Sequence, residues 1–151
     1  DLGRTDVKFL LIGSGPELAS LRSESAALGL ADWVTFTGRV PDDEMLRYLC
    51  SCDVCVNPDE VNQLNELSTM NKIMEYMALG KPIVQFDVKE GRVSAQTASL
   101  YAAKNDPIDF ARMIVALLDD LFGDTVSHAA APTVSAPSVT RALPERKRGK
   151  R

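Results

Sequence analysis

The twenty residues Asn65–Val84, NELSTMNKIMEYMALGKPIV, decide the reading of this chain. The spacing predicts a helix over Ser68–Leu79 followed by a strand. At about 100° per residue, Met70, Ile73, Met74 and Met77 share one side, while Ser68, Asn71, Lys72 and Glu75 gather on the other. Ser68 or Thr69 can cap the start, Gly80 can end the helix in a left-handed conformation, and Pro82 blocks its continuation. A helix start bearing hydroxyls and a lysine suits an anion, and a carboxylate one turn on, Glu75, suits the hydroxyls of a sugar. That combination is what a nucleotide-sugar needs.

Outward from this helix, apolar runs alternate with helical patterns. Val7–Ile12 is a continuous apolar run, expected as a buried parallel strand. Gly13-Ser14-Gly15-Pro16 turns it into a helix over Glu17–Leu28, with Pro16 suited to the first position, and Gly29 stops that helix. Val34–Thr37 is a second strand ending at Gly38. Pro41–Leu49 is a helix with three acids in its first turn, and Val54–Val56 is a third strand. A long polar loop, Asn57–Leu67, precedes the central helix. Pro82–Phe86 reads as a strand, Asp87–Gln96 as a loop, Ser99–Ala103 as a short strand and Pro107–Leu121 as a last helix. This alternation predicts an α/β fold, a Rossmann-like parallel sheet with helices on both faces.

Composition bounds the rest. The 151 residues are 45% hydrophobic, enough for one domain with a core. Residues 1–120 carry a net charge of −8 and residues 121–151 one of +4. An acidic body argues against nucleic acid as a partner, and a phosphorylated ligand must then be held by local features such as helix starts. Cys50, Cys52 and Cys55 lie close together, but the sole histidine, His128, stands far off in the tail. Cys52 and Cys55 read as small, buried, reduced residues flanking a strand of a cytoplasmic protein, and no metal site is expected. No 18-residue apolar run or signal peptide occurs, which leaves open peripheral membrane association through a further part of the protein. After Phe122 the composition turns Ala/Pro/Ser-rich and then basic, so residues 122–151 read as a disordered, solvated tail beside a folded unit over 1–121.

The ordered set LLIGSGPE (10–17), VTFTGRVP (34–41), SCDVCVNP (51–58), STMNKIMEYMALGKPIVQFD (68–87) and ASLYAAKNDPIDFARMIVALLDD (98–120) resembles the C-terminal, donor-binding half of GT-B-fold glycosyltransferases of retaining family 4. The resemblance covers roughly residues 7–120. It implies transfer of a sugar from a nucleotide-diphosphate sugar to an acceptor hydroxyl, in polysaccharide or glycoconjugate synthesis, without a bound metal or other cofactor. It also implies a partner domain, N-terminal to this one, that carries the acceptor site, and a chain that binds donor weakly and does not turn over alone. Gly13, Ser14 and Gly15 match a turn whose backbone approaches a phosphate or sugar. Gly38, Arg39 and Val40 match the turn that reads the nucleobase edge.

Glu75 matches the second glutamate of a Glu-x7-Glu motif, which accepts hydrogen bonds from the ribose. The first glutamate falls on Leu67, a departure from the pattern. Either Glu66 takes that role by a one-residue shift, or Ser68, Thr69 and Asn71 replace it. The STMNK run resembles a subgroup in which Lys72 lies beside the diphosphate, stabilising the leaving group with the amides of Ser68–Met70. Two rivals share the fold or its ligand: a nucleotide-sugar epimerase and a non-catalytic nucleotide-binding or interaction module. A nicotinamide dehydrogenase is disfavoured because the third glycine of its fingerprint would fall on Leu18.

Overall fold

The computed structural model describes residues 4–123. Five strands and five α-helices alternate: β1 (Phe9–Ile12), α1 (Leu18–Ala27), β2 (Val34–Gly38), α2 (Asp42–Ser51), β3 (Cys55–Asn57), α3 (Asn71–Ala78), β4 (Ile83–Phe86), α4 (Lys89–Ala95), β5 (Ser99–Ala102) and α5 (Pro107–Phe122). All strand pairings are parallel, so the expected α/β class is observed. The strands do not form the single sheet expected: β1 pairs with β2, and β3-β4-β5 form a separate three-stranded sheet. A mainly apolar cleft of about 480 Å³, lined by Val7, Phe9, Trp33 and Val34 on one side and Ile108 and Ile114 on the other, lies between the β1–β2 layer and α5. Phe9 faces that opening and is exposed, and Leu11 is exposed as well, contrary to the reading of their run as a buried strand.

The core is organised by β4, whose four residues are all buried. Alternate side chains of a strand leave on opposite faces. Val84 and Phe86 join Val88, Ala102, Phe110 and Ile114 beneath α5, with the Phe86 and Phe110 ring centroids 4.7 Å apart. Ile83 points the other way, to Ile73 of α3 and Ala95 of α4, with Met70, Tyr76 and Met77 around them. Each fully buried aliphatic side chain contributes about 1.5–3 kcal/mol. α5 is fixed at its start by Asp106, which accepts from the amides of Ile108 (2.9 Å) and Asp109 (3.1 Å), with Pro107 at the first helical position.

Several local expectations are corrected. Residues 89–95, expected as loop, form α4. KEGRVSA has little intrinsic helix preference, with Gly91, Val93 and Ser94 inside it; burial of Ala95 against Ile73 and Ile83 supplies what propensity does not. α1 begins at Leu18, so Pro16 precedes it instead of opening it. The central helix begins at Asn71 with Met70 as its cap residue, and neither Ser68 nor Thr69 caps it. Met74 is exposed, and Tyr76 takes its place against the second core. Gly80 does end α3 in the left-handed region, at φ +63°, with Lys81 N donating to Tyr76 O at 2.9 Å. Residues 124–151 of the expected tail, with His128, lie outside the described residues; Phe122, expected in the disordered tail, is instead the last residue of α5.

Candidate functional site

The expected site residues fall into two groups, both following the C-terminal ends of parallel strands. In open α/β sheets this is where ligands are held. The first group closes the β1–β2 layer. Gly13 adopts φ +126° and Gly38 φ +69°, and they meet directly, Gly13 N donating to Gly38 O at 2.9 Å. A side chain at either position would be strained. The two glycine turns that sequence separates by 25 positions are thus one backbone junction. Ser14, Gly15 and Arg39 are exposed beside it and Val40 is half-buried. Gly15 O accepts from Leu18 N at 3.1 Å, which turns the chain into α1.

The second group surrounds the start of α3. Lys72 is half-exposed and its ammonium lies 2.9 Å from Asp59 Oδ2 and 3.0 Å from Oδ1. It does not pair with Glu75, the alternative that helical spacing would suggest. Glu75 is exposed, and among the described residues its carboxylate has no hydrogen-bond or ion-pair partner. Asn71 is exposed at the first position of the helix and Met70 is half-buried. The Asn71 and Lys72 amides, like those of any first helical turn, take no backbone acceptor among the described residues.

Glu66, Ser68 and Thr69 are engaged elsewhere, which is why none of them caps α3. Glu66 sits in a 3₁₀ turn over Asn65–Leu67 and accepts from Lys104 Nζ at 2.9 Å and from Lys89 N at 3.2 Å. The Lys104 hydrogen bond holds the Glu66 carboxyl below its ordinary range against partial desolvation. Ser68 Oγ donates back to Leu64 O at 2.7 Å. Thr69 Oγ1 donates to Glu90 at 2.7 Å, and Ser94 Oγ donates to the same carboxylate oxygen at 3.0 Å; these two bonds lower the Glu90 pKa. Of the Ser68–Met70 amides, Ser68 N donates to Asn65 O at 3.3 Å, while Thr69 N and Met70 N, like Asn71 N and Lys72 N, take no backbone acceptor among the described residues.

Sequence reading missed Asp59, Glu90 and Lys104. All three are charged residues in stretches without periodicity, and only tertiary folding makes them neighbours of the site. The cysteines are free: Cys55 is buried in β3, Cys52 half-buried and Cys50 exposed. Burial pushes the Cys55 thiol up to about 11. Among the described residues no three His, Cys, Asp or Glu side chains cluster as a metal site, and no helix is long and apolar enough to cross a membrane.

The 2-deoxystreptamine glucosyltransferase of Streptomyces kanamyceticus is 33% identical over 122 residues, covering 80% of this chain and 30% of that protein. The 2-deoxystreptamine N-acetyl-D-glucosaminyltransferase of Streptomyces fradiae is 30% identical over 129 residues, covering 84% and 28%. The chain therefore spans under a third of the length of these relatives. The crystal structure of HepE from Anabaena in complex with UDP superposes with a TM-score of 0.57 at 20% identity, covering 78% of this chain and 33% of that one, which establishes a shared fold. The family model "Glycosyl transferases group 1" matches residues 2–120. With the family model matching residues 2–120 and about four-fifths of its length aligned to two such enzymes, the chain belongs to the group 1 glycosyltransferases.

Proposed function

We propose that this chain is the donor-binding part of a retaining glycosyltransferase that moves a sugar from a nucleotide-diphosphate sugar to an acceptor hydroxyl. The observation that carries the reading is the exposed carboxylate of Glu75, without a partner among the described residues, one turn beyond Lys72 at the start of α3. A carboxylate with two free acceptor oxygens suits the paired hydroxyls of ribose. Lys72 and the first amides of α3 suit the diphosphate, whose negative charge grows as the sugar leaves. In this reading a phosphate displaces Asp59 from Lys72 and takes over its ammonium. The junction of Gly13 and Gly38, with Arg39 beside it, is assigned to the nucleobase and its neighbouring phosphate or sugar.

UDP in the HepE complex supports a nucleotide in this fold, and the named acceptor of both Streptomyces relatives is an aminocyclitol. A small polyhydroxylated acceptor is therefore included beside the polysaccharide or glycoconjugate suggested by the resemblance. The acceptor site is assigned to a separate N-terminal domain, and no metal is invoked. Chemical-shift mapping on the chain with UDP and GDP tests the reading. Shifts centred on Gly13, Gly38, Lys72 and Glu75 are expected with one of them. Shifts confined to the apolar cleft beside α5, or none with either nucleotide at millimolar concentration, would refute it.

A further inference from the structure

Asn57 and Gln85 are register partners in β3 and β4, on the face covered by α3 and α4. They are 2% and 0% exposed, yet among the described residues Asn57 Oδ1 and both polar atoms of the Gln85 amide have no hydrogen-bond partner. Leaving a buried polar atom unpaired costs about 1–3 kcal/mol, so three together are a large burden on a small fold. Gln85 also interrupts the apolar run Ile83-Val84-Gln85-Phe86 at the centre of the sheet, where valine or isoleucine would be ordinary. Its place is made by a glycine: a Cβ on Gly91 would run into Gln85 Oε1. Beside the two amides is a cavity of about 10 Å³, whose lining includes Asp59, Ser68, Gly91 and Ser94.

We propose that Asn57 and Gln85 form a seat for one neutral oxygen that both donates and accepts hydrogen bonds. The cavity matches roughly one water-sized probe. Asn57 Oδ1 requires a donor, and the Gln85 amide offers an acceptor and a donor to the same small space. A phosphate oxygen cannot donate. A cation would bring a buried charge that the carboxylate of Asp59, already held by Lys72, does not compensate. Water, with two hydrogens to donate, meets Asn57 Oδ1 and both Gln85 atoms; an alcohol, with one, meets Gln85 Nε2 and one of the two carbonyl oxygens. The oxygen comes from solvent, or it is a hydroxyl of the sugar carried by the donor; the second source rests on the function proposed above. In either case it ties the ends of β3 and β4 to the loop bearing Asp59 and to α4, making Asn57 and Gln85 positioning residues for the Lys72 end of the site.

Water-to-protein cross-relaxation on the full chain tests the seat. A long-lived water cross-peak to the Gln85 side-chain amide is expected, lost in a folded Gln85→Met variant and weakened in Gly91→Ala, where Gln85 is pushed aside. UDP-glucose and UDP are then added in turn as probes. A cross-peak that survives both assigns the oxygen to solvent; one displaced by UDP-glucose but not by UDP assigns it to the sugar. Failure of both nucleotides to bind counts against the proposed function and leaves the seat standing. No cross-peak in the free chain, together with a direct Asn57–Gln85 hydrogen bond in a high-resolution crystal structure, overturns the proposal.

Discussion

Lys72 reaches across from the first turn of α3 to Asp59, 2.9 Å away in the loop after β3, and leaves Glu75 on its own helix without a partner among the described residues. The pair is part-exposed, and such ion pairs contribute about 0–1 kcal/mol. Its interest lies in competition, since an anion at Lys72 must displace Asp59.

Asp59→Asn should therefore change stability by less than about 1 kcal/mol while tightening the binding of a nucleoside diphosphate. Lys72→Ala should weaken that binding and, in a full-length enzyme, lower turnover by about 10²-fold, a larger loss than Glu75→Asp causes. Calorimetric titration with UDP, paired with denaturant unfolding, separates the two effects. Weaker binding in Asp59→Asn would make the aspartate part of the site instead of a competitor.

Glu75→Ala removes an exposed side chain with no partner among the described residues, so stability should stay within about 0.5 kcal/mol of the parent. Donor Kd or KM should rise strongly. An unchanged donor affinity would take Glu75 away from the ribose.

Gly13 and Gly15 should behave differently although they are two positions apart. Gly13→Ala forces a side chain onto φ +126° and should destabilise by roughly 1–2 kcal/mol. Gly15 has no left-handed φ and open space where a Cβ would lie, so Gly15→Ala should fold normally. If Gly15→Ala also leaves nucleotide affinity untouched, the turn serves only to start α1.

Acid should loosen the contact between the 3₁₀ turn and α4. The Lys104 hydrogen bond lowers the Glu66 pKa from its ordinary 4.5. A carboxylate whose folded pKa lies below its unfolded value stabilises the fold above the unfolded pKa and loses that contribution as pH falls through the folded one. Lys104→Ala should thus shift acid unfolding to higher pH, and Glu66→Gln should flatten the dependence in the same window. Circular dichroism between pH 6 and about 2 reads both; identical acid transitions in all three proteins would remove Glu66 from the tie.

The alternation of strands and helices, the left-handed stop at Gly80 and the parallel class were legible because they rest on local periodicity and on backbone demands that one residue type meets. The two glycine turns were legible as turns, but their meeting at Gly13 N and Gly38 O was not. α4 was hidden because Gly91, Val93 and Ser94 disfavour a helix that tertiary contacts, the burial of Ala95 among them, sustain. Ser68 and Thr69 looked like helix caps until Leu64 O and Glu90 took their hydroxyls.

Sequence by itself thus determined the elements, their order and the residue types offered to a ligand, since spacing along the chain governs what shares a helix face or a strand face. Tertiary structure alone decided the partners. Asp59 meets Lys72, Lys104 meets Glu66, and Asn57 lies beside Gln85 under Gly91 because separate crossovers bring distant segments to the same strand ends. Charge and hydrogen bonding act over a few ångströms of space, whatever the distance along the chain.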